Sequence, residues 1–254
     1  MRHLKLTVSY DGTDYVGWQV QPNGIAIQQR LEEGWTKVTG ETIRITASGR
    51  TDAGVHAIGQ VCSLKTESKL PPERLLRAIN SNTPFDIAVK EICEAPEDFH
   101  AIRDAIEKTY VYHIQYGRIQ DPLRLRTCWF IPGTVDSNAM AKAAVTITGR
   151  HDFASFESKG AERNSTIRTV SELKITEEKI NDFPSIKIAI TANGFLYNMV
   201  RNIVGTLVEI GKGRRDANWI EFVRDQNARL NAGQTAPAQG LFLDHVVYDD
   251  GIRS

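Results

Sequence analysis

The order in which strand-like and helix-like hydrophobic periods follow one another constrains this chain most. Leu4, Leu6, Val8 and Tyr10 alternate with Lys5, Thr7 and Ser9, the two-residue period of a strand with one wet face. Ile27, Leu31, Trp35 and Val38 then recur at helical spacing, with Glu32, Glu33 and Lys37 turned outward, until Gly40 closes the segment. Ile43, Ile45 and Ala47 predict a second strand and residues 59–65 a third. Residues 71–82 predict a helix with proline in its first turn, and 85–92 a fourth strand. The order β-α-β-β-α-β is the ferredoxin-like unit, an antiparallel sheet with two helices on one face.

The remainder repeats that pattern with insertions. Residues 110–115 predict a strand, and 138–147 a helix with Asp136 or Ser137 as N-cap and Gly149 as its stop. Strands follow at 167–175 and 186–192, a helix at 196–210 and a strand at 241–248. The expected fold is therefore α+β: two related halves, 1–105 and 106–254, with a cleft between them. At 254 residues, 41% apolar and 24% charged, the composition suits a globular protein with room for two cores. The polar–apolar alternation at the N-terminus is unlike a signal-peptide core, and no run approaches membrane-spanning length. Cys62, Cys93 and Cys128 form no Cys-x-x-Cys pair, so the expectation is a cytoplasmic protein without zinc or a membrane anchor.

Chemistry is most concentrated at residues 46–57, Thr-Ala-Ser-Gly-Arg-Thr-Asp-Ala-Gly-Val-His-Ala, which read as a loop between strands. Asp52 stands there between small residues, two positions after Arg50, a setting that presents and ionises a nucleophile. An Arg–Asp pair stapling a turn has the same appearance. Tyr110 and Tyr112 share one strand face, as core residues or as a platform for stacking a base. Arg201 lies at the edge of the apolar arc of Met199, Val200, Ile203, Val204, Leu207 and Val208. It is either paired with an anion or a stem covering apolar surface. The six histidines show no metal-ligand spacing, and the Gly49–Gly54 loop lacks the Lys-Ser/Thr of a nucleotide-triphosphate site. Lys plus Arg balance Asp plus Glu, 31 against 31, so any polyanion site must be local.

Six segments in order resemble the tRNA pseudouridine synthase A family. They are Tyr-Asp-Gly-Thr-Asp-Tyr-Val-Gly-Trp-Gln (10–19), Gly-Arg-Thr-Asp-Ala-Gly-Val-His-Ala (49–57), Phe-His-Ala with Lys-Thr-Tyr-Val-Tyr (99–101, 108–112), His-Asp-Phe-Ala-Ser-Phe (151–156), Asn-Met-Val-Arg-Asn-Ile-Val-Gly (198–205) and Ala-Pro-Ala-Gln-Gly-Leu-Phe-Leu (236–243). The resemblance implies isomerisation of uridine to pseudouridine at positions 38, 39 and 40 of the tRNA anticodon stem-loop by a homodimer without cofactor. Asp52 matches the family's catalytic aspartate, Arg50 the arginine of the same motif, Tyr110 the tyrosine that packs against the target base, and Arg201 the arginine paired with the aspartate. Such a reaction moves uracil from its N1 to its C5 bond with C1′ and imports neither electrons nor groups. It needs a carboxylate, as nucleophile or as base, and a dry pocket. With zero net charge, the RNA requires a local groove, for which Arg124, Arg126, Lys212, Arg214 and Arg215 are candidates. After Phe-His-Ala the family often continues Arg-Phe-Ser-Ala. This chain has Ile102-Arg103-Asp104-Ala105, which displaces that arginine to Arg103. A hydrolase of N-glycosidic bonds and a non-catalytic RNA-binding module are the competing readings.

Overall fold

The computed structural model describes residues 1–158, 160, 165–226, 229 and 232–249. It divides into two compact units, Met1–Lys108 with Phe242–Ser254, and Thr109–Leu241.

The first unit follows the expected order: β1 (Arg2–Tyr10), α1 (Ile27–Thr39), β2 (Thr46–Ala47), β3 (His56–Thr66), α2 (Pro72–Asn80) and β4 (Ile87–Ala95). β1 runs antiparallel between β3 and β4. Leu4, Leu6, Val8 and Tyr10 are buried, as are Ile27, Leu31 and Trp35 of α1 and Leu75 and Ile79 of α2. Gly40 caps α1 in the left-handed conformation, its N–H returning to the Thr36 carbonyl. The opposite face of β1 is not simply wet. Lys5 is buried there with its ammonium 5.3 Å from the centroid of the Tyr248 ring, and Tyr248 packs with Val61 and Phe99. Alternation alone cannot reveal such a lid, because the covering residues come from distant parts of the chain.

One edge of β3 carries two short partners. β2 pairs antiparallel at Cys62 and Ser63, while a strand from far along the chain, β10 (Leu241–Val247), pairs parallel at His56 and Ala57. β10 thus braces the strand exactly where it leaves the Asp52 loop.

β5 (Glu107–Gly117) begins in the first unit and continues from Thr109 in the second, which also contains β6 (Trp129–Pro132), α3 (Ser137–Ala144), β7 (Gly149–Asp152), β8 (Ile167–Ile180), β9 (Phe183–Ala192), α4 (Met199–Gly211) and α5 (Trp219–Asp225). β5 lies beside β9, followed by β8 and β7, with β6 parallel to β5. Asn181 and Asp182 join β8 to β9 with φ of 52° and 64°, the two-residue turn whose twist suits a hairpin. Asp136 caps α3 by accepting from the Asn138 and Ala139 N–H groups, both at 2.9 Å. α4 is buried on nearly every side, and Arg201 and Glu209 are its only residues that keep partial exposure. β6, β7 and α5 had no counterpart in the sequence reading. They span four, four and seven residues, too short to develop a period.

Candidate active site

Asp52 is half-buried and extended, in an isolated antiparallel bridge with Gly17. Its loop is laced to the 12–18 segment: Trp18 N–H donates to the Thr51 carbonyl at 3.0 Å, and Gly12 N–H to His56 Nδ1 at 3.1 Å. Gly17, at φ +109°, lets the two backbones meet, since a Cβ there would stand 2.6 Å from the Thr51 carbonyl oxygen.

Beneath the loop lies a buried polar network. Tyr10 Oη and Thr51 Oγ1 share a hydrogen bond of 2.7 Å, Gln60 Nε2 donates to the Gly49 carbonyl at 2.8 Å, and Ser48 Oγ donates to Gln60 Oε1 at 2.7 Å. Gln60 and Ser48 are fully buried. Burial pushes the Tyr10 phenol well above its ordinary range, so it remains a neutral hydroxyl. Where the loop leaves for β3, the His56 ring stacks on Phe242 with centroids 4.5 Å apart. A carboxylate on so well-tethered a loop is preorganised. Gln60→Leu is expected to cost about 2 kcal/mol or more, because it strands the Gly49 carbonyl and Ser48 hydroxyl in the interior. Urea unfolding at unchanged m-value checks this.

Arg50 does not act as the expected partner of Asp52. Among the described residues its guanidinium is exposed and forms no ion pair with the carboxylate. The network instead brings in Lys108, whose ammonium donates to the Ser48 carbonyl at 2.5 Å. Neither Lys108 nor Gln60 was singled out from sequence, yet both carried a signal. Lys108 shares the strand face of Tyr110, Tyr112 and Ile114, and Gln60 that of Cys62 and Leu64, polar side chains in otherwise apolar rows.

In the second unit, Tyr110 on β5 is buried and meets Phe195 edge to face, ring centroids 5.0 Å apart. Arg201 on α4 donates from Nε to the Ala236 carbonyl and from Nη1 to Asn198 Oδ1, both at 2.7 Å. Tyr112 donates to the adjacent Pro237 carbonyl at 2.7 Å. Burial drives the Tyr112 phenol far up, partly offset by the Arg201 cation. Arg201 is therefore bound to the 236–237 segment and is not a loose surface arginine.

The basic candidates do not form one group. Arg124 is buried and donates to Ser185 Oγ at 2.8 Å, so its guanidinium is used inside the unit instead of facing solvent. Arg103 is held by Asp104 Oδ1 at 2.7 Å and by the Asp98 carbonyl, and Arg214 by Glu209 at 3.0 Å. Arg126 is exposed. Lys212 and Arg215 line a concavity of about 490 Å³ together with Asp136 and Asp216. Lys212 lies 5.9 Å from the Trp129 ring centroid and Arg215 5.0 Å from that of Trp219. Among the described residues no cluster of three or more His, Cys, Asp or Glu could hold a metal ion. No described helix is long and apolar enough to cross a membrane.

The family model described as tRNA pseudouridine synthase matches residues 6–103 and 143–249. A protein of a Thermoanaerobacter strain, named tRNA pseudouridine synthase A, is 44% identical over 248 residues, covering 98% of this chain and 100% of its own. Proteins of the same name from Myxococcus xanthus and Caldicellulosiruptor saccharolyticus are 42% and 43% identical, covering 99% and 98% of this chain and 94% and 100% of their own. With matches along nearly its whole length, this chain belongs to the tRNA pseudouridine synthase A family.

Proposed function

We propose that this protein isomerises uridine to pseudouridine at positions 38, 39 and 40 of the tRNA anticodon stem-loop, as a cytoplasmic homodimer. Family membership supports the reaction, and one observation supports the assignment of its centre. Asp52 alone among the motif's charged residues is half-buried on a loop tied down by a buried network, whereas Arg50 is exposed. The Asp52 carboxylate drives uracil away from C1′ as the C1′–N1 bond breaks; the freed base turns, C5 bonds to C1′ and gives up its proton, and N1 takes up a proton. Every atom is retained, so the reaction balances without a redox partner. Tyr110 packs against the flipped base in place of its lost stacking neighbours. Arg201 supplies the cation that the family resemblance pairs with the aspartate, and keeps it ionised during desolvation. Arg126, Lys212 and Arg215 are offered to the phosphate backbone.

Incubation with an unmodified tRNA transcript labelled in uracil tests the proposal. Pseudouridine at 38–40 with no free base is the expected result. Released uracil would mark a hydrolase, and modification elsewhere in the tRNA would overturn the positional assignment. In single-turnover assays Arg201→Ala is expected to lower the rate by about 100- to 1,000-fold, the loss typical of removing one preorganised charge-stabilising group. Near-normal turnover would remove Arg201 from the site.

A further inference from the structure

We propose that Lys108, together with the bare backbone of Gly49 and the side chain of Arg50, forms a binding notch for a phosphodiester of the RNA backbone beside the Asp52 loop. This inference rests on the proposed reading of the substrate as tRNA. Lys108 is half-buried, and the Ser48 carbonyl is its one hydrogen-bond partner among the described residues. An ammonium has three donors. Burying its charge against a single neutral acceptor is costly, and a neutral donor would hold that carbonyl as well. The charge is accounted for by an anion that comes and goes.

The surroundings fit a phosphate. Gly49 presents no side chain, and even a Cβ there would stand only 3.4 Å from Lys108 Nζ, so the approach is bare backbone. Arg50, next along the chain, is exposed and has no carboxylate of its own among the described residues. Asp52 follows two residues later. A phosphate held here places its nucleotide near the carboxylate without reading any base, which suits an enzyme serving neighbouring positions. Burial pulls the Lys108 pKa down to about 8, leaving the group predominantly charged at neutral pH and able to gain from an incoming anion.

The test uses the full-length protein and an unmodified tRNA transcript, with the dissociation constant measured across a salt series for the parent and for Lys108→Met. The notch predicts weaker binding and a slope of log Kd against log salt reduced by about 0.7–0.9, the loss of one phosphate contact. An unchanged slope overturns the notch and leaves Lys108 only as a clamp on Ser48, whether or not Tm falls. If Lys108→Met does not fold, Lys108→Gln keeps a neutral donor for Ser48 and is subject to the same binding readout. A parent protein that neither binds nor modifies tRNA sinks the functional proposal itself. A parent that does both, beside a variant of unaltered slope, sinks only the notch.

Discussion

Asp52→Asn is expected to leave a folded protein that binds tRNA at least as tightly as the parent and makes no measurable pseudouridine. The amide is nearly isosteric, and contacts from Tyr10, Gln60, Trp18 and Lys108 fix the loop. The loop therefore stays in place while its negative charge is lost. An amide can neither attack C1′ effectively nor take a proton from the sugar, so the rate should drop by about 10⁴-fold or more, as when a group acting in the transition state is deleted. Removing a carboxylate from a phosphate-binding surface should hold or improve affinity. Pseudouridine mapping after prolonged incubation, beside a binding titration, reads both effects. Residual modification within about tenfold of the parent would take the chemistry away from Asp52.

The second large effect expected is structural, from Gly205→Ala in the middle of α4. Alanine is the better helix former by about 1 kcal/mol, so on local grounds the change would stabilise. Sterics oppose it decisively. A Cβ at position 205 would lie 1.7 Å from the Gln234 carbonyl oxygen and 2.9 Å from its carbon, both backbone atoms. The 233–236 segment cannot step aside cheaply. Gly233 N–H donates to Thr206 Oγ1, and Thr235 and Arg229 donate to Asn202 Oδ1. Overpacking against so constrained a backbone should cost about 3 kcal/mol or more, the upper end of such substitutions. The same displacement would draw the Ala236 carbonyl from Arg201 and lower turnover. Urea unfolding and single-turnover kinetics should change together, and a variant as stable as the parent would show that the close approach is dispensable.

Much of the architecture was legible because long elements repeat their hydrophobic pattern. β1, α1, α2, β8, β9 and α4 all carried enough turns or alternations to be read, and the partial exposure of Arg201 followed from its place at the rim of an apolar arc. Short elements carried no such information, and β2 shrank to two residues where a longer strand was expected. Pairing between distant segments was equally invisible: nothing in residues 241–247 announces that they lie parallel to the start of β3. The same limit affected the charged residues. A basic run reads as surface, but Arg124 turned inward to Ser185, while Arg50 failed to pair with the aspartate two positions away. Spacing singled out Asp52, whereas the side chains that hold its loop come from β1, β3 and β5 and are found only in three dimensions.

The parallel pairing of β10 with β3 also sets a timetable for synthesis on the ribosome. The nascent chain emits Asp52, its network and all four neighbouring strands long before it emits Phe242 and Leu243, which flank His56 and Ala57. The first compact unit therefore closes only after the second has been translated. The Asp52 loop is left without its final brace until translation nears completion, so the finished fold is assembled late.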